Sequence, residues 1–128
     1  MMYDVYVHLR RRSIIEAVEL ARDIAEITSD MLAADITLLD ISELSSFADV
    51  FIVTTADNVR QLRALQREIV GQMRERGVRP HRVEGEVEGG WILIDYGDVI
   101  VHLLTRDQRE FYRLEDLWIE APVLLKIQ

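Results

Sequence analysis

The sequence predicts an α/β domain in which a mixed β-sheet is flanked by helices, and three observations lead to it. Residues Val50-Phe51-Ile52-Val53-Thr54-Thr55 form a β-branched run without polar alternation, the pattern of a strand covered on both faces. Trp91–Asp95 and Asp98–Leu104 are two further apolar runs joined at Tyr96-Gly97, where glycine supplies the positive φ of a tight turn and makes the pair an antiparallel hairpin. Two stretches upstream of that hairpin carry apolar residues at helical spacing, so helices are available to cover the sheet.

Along the chain, residues 1–12 show no clear period and read as an N-terminal extension. Ser13 and Glu16 form an S-x-x-E capping box, which starts the first helix there. Ile14, Ala17, Val18, Ala21, Ile24 and Ala25 then define a buried face that runs to about Ser29. Ile36 to Ile41 reads as a strand, and the small polar residues of Leu44–Asp49 connect it to the central strand. Asp57 is placed to cap a second helix with the stripe Val59, Leu62, Leu65, Ile69 and Met73, which Gly77 ends. Pro80 to Glu84 is a short strand near an edge, because proline cannot donate to a ladder. After the hairpin, Thr105 is placed to cap a short helix bearing Phe111 and Tyr112, followed by Leu114–Trp118 and by Pro122. The domain is therefore expected over 13–122, with 123–128 as a tail.

With 128 residues the chain has enough material for one domain with its own core. Its 23 acidic against 15 basic side chains give a net charge of -8, which on balance repels a bare phosphate backbone. No direct nucleic-acid specificity is expected, and a basic protein partner suits the surface better. Arginine supplies nearly all the positive charge, Lys126 being the one lysine, and no function follows from that. With no cysteine, and with His8, His81 and His102 scattered, neither a metal nor another cofactor is expected. No apolar run reaches membrane-spanning length, and Asp4, Arg10, Arg11 and Arg12 interrupt the start, so a cytoplasmic protein without a membrane partner is expected.

Three segments carry a resemblance. They are Ala48-Asp49-Val50-Phe51-Ile52-Val53-Thr54-Thr55, with the polar Asn58–Gln61 stretch after it; Val83-Glu84-Gly85 leading into Gly90-Trp91; and Trp91-Ile-Leu-Ile-Asp95-Tyr96-Gly97-Asp98-Val-Ile-Val-His102, continuing into Arg109-Glu110-Phe111-Tyr112-x-Leu114-Glu115-x-Leu117-Trp118. Over about residues 13–122 the chain resembles the Iojap-like family of ribosomal silencing factors. Thr55-Ala56 departs from the family where a glycine-containing turn is common. The resemblance implies a sheet similar to the nucleotidyltransferase fold but without its catalytic motifs. It further implies binding to the fourteenth protein of the large ribosomal subunit, a steric block to joining of the small subunit, translation repressed when nutrients are short, and a homodimer.

Read for chemistry, the residues favour contact over catalysis. A nucleotidyltransferase needs a phosphate-holding Gly-Ser loop and closely placed carboxylates for magnesium, whereas Gly89-Gly90 is a bare diglycine that reads as a turn. The alternative function, a metal-dependent nucleotidyltransferase or phosphohydrolase, would use Asp49, Asp95 and Asp98. Aspartates beside a turn ordinarily accept local backbone N–H groups, and with Tyr96 at a projecting tip Asp95 and Asp98 read as contacts to a basic partner. Trp91 fits either the core or an exposed anchor, and the resemblance tips it towards the binding face. His102 reads as structural or interfacial, since no serine or cysteine nucleophile can be placed beside it. Phe111, Tyr112, Leu117 and Trp118 supply both core and binding ridge, in a division that the sequence leaves open. The expected partner-binding residues are thus Trp91, Asp95, Tyr96, Asp98, Phe111 and Tyr112, and no catalytic residue is expected.

Overall fold

The structure is a computed structural model that describes the backbone of residues 2–128 and side chains from residue 14 onward. Its first helix, α1, spans Met2–Asp30. This corrects the expected start at Ser13: residues 2–12 continue the helix upstream, and the capping-box position lies inside it. The physical reason is that no glycine or proline stands between residues 2 and 13 to stop a helix, so a local capping signal loses to propagation.

Strands β1 (Ala34–Asp40) and β2 (Val50–Ala56) follow, then helix α2 (Val59–Glu75). The α2 cap is Asn58 rather than the expected Asp57: its Oδ1 accepts from the backbone N–H of Gln61 at 2.8 Å. Gly77 takes the left-handed conformation, φ 82, just past the helix end, as its position predicts. Then come β3 (Arg82–Glu84), a 3-10 turn at Val87–Gly89, β4 (Trp91–Asp95), β5 (Val99–Thr105), α3 (Arg106–Tyr112) and α4 (Leu114–Leu117). Thr105 holds the N-cap position of α3 without a side-chain capping bond. Val123–Ile127, read from sequence as tail, is strand β6.

The six strands lie in the order β3-β4-β5-β2-β1-β6. β2 and β5 pair in parallel at the centre, and the other pairs are antiparallel, so the expected mixed sheet flanked by helices is what forms. β2 is buried along its whole length, which explains its unbroken apolar run. β3 is an exposed edge, as Pro80 suggested, and β6 forms the other edge against β1.

Alternation sorts the side chains onto two faces. On one face Ile36, Leu38, Ile52, Ile92, Ile94, Val101 and Leu103 meet Ile24 of α1 and Leu62, Leu65, Ile69 and Met73 of α2 in the main core. Each of those α2 side chains is fully buried, worth about 1.5–3 kcal/mol apiece. The opposite face, with Leu39, Phe51, Val53, Ile100 and Leu104, is covered more thinly by Leu114, Trp118 and Ala121 from the segment after β5. Thin cover leaves that side's outermost groups near solvent, and the candidate site lies there.

Candidate functional site

The hairpin was expected to raise Tyr96 on its tip, and the structure corrects this. Tyr96 N–H donates to the carbonyl of Val99 at 2.9 Å, so the two turn residues are Gly97, with φ 89, and Asp98. Tyr96 is thus the last position of strand-like alternation, and a shift of one residue moves a side chain to the other face. It follows Ile92 and Ile94 into the main core, where it is 7% exposed. Burial pushes its phenol up to about 12, and its hydroxyl has no hydrogen-bond partner among the described residues.

Asp95 is a turn former in the way aspartate usually is. Its Oδ1 accepts from the N–H of Gly97 at 2.7 Å, and its Oδ2 pairs with Nε of Arg82 at 3.3 Å. Asp98 is exposed, while its carbonyl accepts from the backbone N–H groups of Asp49 and Val50 at 2.8 and 3.1 Å, pinning the tip to the start of β2. Asp49, Asp95 and Asp98 do not form a metal-holding group; among the described residues no three His, Cys, Asp or Glu side chains do.

The remaining expected residues come together on the thinly covered face. Trp91 packs at 4.7 Å, ring centre to ring centre, on Tyr112, which packs edge-on at 4.9 Å against Phe111. Phe111 is 76% exposed and Tyr112 about half exposed, so this aromatic row emerges from the sheet into solvent. Beneath it, the Trp91 indole N–H donates to Nδ1 of His102 at 3.2 Å, and the His102 ring lies edge-on to Phe51 at 4.7 Å. Burial lowers His102 to about 4, which keeps it neutral. The division of the aromatic segment is now plain: Leu114 is buried and Trp118 packs on Phe51 at 5.2 Å, whereas Phe111, Tyr112, Leu117 and Ile119 face outward.

Arg109 gives the ridge its footing. Its guanidinium donates from Nη1 to the carbonyl of Asp35 and, at 2.8 Å, to Oγ1 of Thr55; from Nη2 it reaches Oγ1 of Thr37 at 3.2 Å. Nε pairs with Glu115 at 3.3 Å, so one planar fork ties α3 to β1, β2 and α4. A cavity of about 480 Å³ opens beside it, lined by Thr37, Arg109, Trp118, Val123 and Lys126 among others. Around the exposed apolar residues stand the exposed carboxylates Asp107, Glu110, Asp116 and Glu120. Sequence reasoning left Leu117 undecided between core and surface and missed Ile119 as a surface residue and Arg109 as organiser; Arg109 was visible only as part of a quoted motif, because its hydrogen-bond partners lie more than fifty residues away.

Exposed apolar residues flanked by carboxylates thus mark this face, and comparison with known proteins identifies the lineage. The family described as "Ribosomal silencing factor during starvation" matches residues 14–128. The chain belongs to the ribosomal silencing factor family. It is 36% identical over 115 residues to the ribosomal silencing factor RsfS of Bacillus subtilis, spanning 90% of this chain and 92% of that protein. With the chloroplastic protein Iojap of Arabidopsis thaliana it shares 34% identity over 109 residues, covering 83% of this chain and 44% of that one. A crystal structure of a protein from Chromobacterium violaceum superposes with a TM-score of 0.72 at 38% identity, covering 82% of this chain and 85% of the other. Another from Bacillus halodurans gives 0.70 at 31% identity, over 86% and 97% of the two chains. The sequence-level resemblance to Iojap-like silencing factors and the α/β fold therefore both hold. No helix among the described residues is long and apolar enough to cross a membrane.

Proposed function

We propose that this silencing factor docks on the large ribosomal subunit through its fourteenth protein, and that its bulk there blocks joining of the small subunit, repressing translation when nutrients are short. The observation that carries the reading is the aromatic row Trp91–Tyr112–Phe111, half-buried at its root and three-quarters exposed at its end. A rigid aromatic anchored in this way buries area on docking at little entropic cost, which is the character of an interface hot spot. Leu117 and Ile119 extend the apolar patch, and Asp107, Glu110 and Asp116 give it the negative rim that a basic ribosomal protein complements. Asp98, exposed on the hairpin tip, adds to that negative potential. In this reading Asp95 and Tyr96 support the contact from inside the hairpin, the one by bracing the turn and the other by filling the core beneath it.

The action is steric and electrostatic, requires no catalysis, and takes place in the cytoplasm, where free subunits are found. A homodimer belongs to the same reading: in the absence of a ribosome, a second copy is the nearest apolar surface able to cover Phe111 and Leu117. The test is a subunit-joining assay. Purified large subunits preincubated with excess protein should fail to form whole ribosomes on addition of small subunits, and crosslinking from a probe placed at Phe111 should mark the fourteenth large-subunit protein. Normal joining at saturating protein would overturn the proposal.

A further inference from the structure

The net negative charge of the chain conceals a strong local reversal. Residues 60–82 hold seven arginines against two glutamates. Four of the seven, Arg60, Arg63, Arg67 and Arg74, recur on α2 at intervals of three, four and seven residues, which places them on one side of the helix. All four are exposed on the surface opposite the buried stripe Leu62, Leu65, Ile69 and Met73. At 1.5 Å of rise per residue the row extends about 21 Å. Within the row, Arg63, Arg67 and Arg74 border an open groove of about 530 Å³ whose floor includes Val70, Gly71 and Val83.

Two features show that the fold itself has no use for this row. Among the described residues Arg60, Arg67 and Arg74 form no ion pair, and Arg63 has one exposed pair, with Glu88 at 3.0 Å, of the kind that solvent screens and an incoming anion displaces. Gly71 lies in the middle of a helix, where glycine is unfavourable, yet a Cβ there would meet nothing within 4 Å. Packing within the chain does not demand that glycine. Its effect is to leave the helix surface between Arg67 and Arg74 bare, so that a ligand can approach the backbone closely.

From the charge row and the bare groove together we infer that the outer face of α2 is a binding surface for an RNA phosphate backbone, read by charge and shape without base specificity. A stretched polyanion fits a row of this length better than a compact ligand, and planar guanidinium groups suit phosphate oxygens. The overall charge of -8 and the flanking Glu68 and Glu75 keep the binding weak and confined to this face. The surface is independent of the aromatic ridge: α2 packs on the sheet face that carries Ile92 and Leu103, whereas the ridge rises from the opposite one.

The test is anisotropy of a labelled single-stranded uridine oligonucleotide, titrated with the full chain at several salt concentrations. The wild type should bind with a negative slope of log affinity against log salt. The triple variant Arg63→Ala, Arg67→Ala, Arg74→Ala should bind at least tenfold more weakly, with a slope shallower by about 2, since each phosphate contact on a single strand contributes about 0.7. Gly71→Leu, which keeps every charge and removes a poor helix former, should melt no lower than wild type and still weaken RNA binding several-fold. Equal affinity of wild type and triple variant, or displacement of the RNA by poly-glutamate as effectively as by unlabelled RNA, would overturn the inference; the latter outcome would make an acidic protein surface the ligand. Subunit docking by the triple variant reads out the ridge separately.

Discussion

Trp91 donates its indole N–H to Nδ1 of His102 on the neighbouring strand, at 3.2 Å. An accepting ring nitrogen carries no proton, so the neutral imidazole holds its proton on Nε2, a buried atom without an acceptor among the described residues. Charging the ring would place a second proton on Nδ1, facing the indole donor. The rooted end of the aromatic row therefore depends on a histidine that stays neutral.

A pH dependence of stability follows. His102 titrates at about 4 in the folded chain and near 6.5 when unfolded, so between those values only the unfolded chain holds the proton. The contribution is complete above the unfolded value and declines as pH falls towards the folded one, with a loss of about 2 kcal/mol between pH 7 and pH 5 from this group alone. Urea unfolding at both pH values should show His102→Phe losing less stability across the interval than wild type by that amount. Identical losses in the two proteins would mean that His102 is not the source.

Tyr96 separates a core role from a surface one. Tyr96→Ala should cost about 3–5 kcal/mol, as for other large buried aromatics. Tyr96→Phe, which removes a buried hydroxyl without a partner among the described residues, should be neutral or stabilising by up to about 1 kcal/mol. Thermal melts of the two variants decide it, and a destabilised phenylalanine variant would indicate a hydrogen bond at that hydroxyl.

For Phe111 and Leu117 the expectation is reversed. Both are 76% exposed, so alanine at either position should change folding stability by less than about 0.5 kcal/mol. The double variant should nevertheless weaken co-sedimentation with large subunits at least tenfold, the scale of losing an interface anchor. Retained co-sedimentation would move the docking surface elsewhere.

Arg109 should tolerate no replacement. Arg109→Ala leaves the Glu115 carboxylate without its ion-pair partner and the carbonyl of Asp35 without its donor, which should cost about 2–4 kcal/mol. Lysine has a single ammonium group and cannot reach Thr37, Thr55 and Glu115 together, so Arg109→Lys should recover less than half of the loss. Full recovery in chemical unfolding would reduce the fork to a point charge.

Local rules carried the reading far along the chain and failed at identifiable points. The β2 run, the hairpin strands, the α2 stripe and Gly77 were legible because periodicity and turn chemistry act over a few residues. Tyr96 was misplaced by a turn assigned one residue early, an error that inverts a side chain's face. β6 was missed because its short apolar run becomes a strand only through pairing with β1, more than eighty residues earlier. Trp91, Tyr112 and Phe111, expected together, do pack in one row, while their support by His102 and Arg109 depends on tertiary distances that no spacing reveals.

The parallel register that sets Val50 beside Val99 also orders events in time. About fifty residues must be looped out before those two strands meet. Each doubling of a loop's length adds only about 0.6 kcal/mol to its closure, so the penalty falls on how fast the halves seal more than on how firmly they stay sealed. Helices and the hairpin around Gly97 can form within microseconds, whereas the middle of the sheet must wait. During that interval both β2 and β5 offer unsatisfied edges to any neighbouring chain, so a high concentration during refolding should favour aggregation over closure of the sheet.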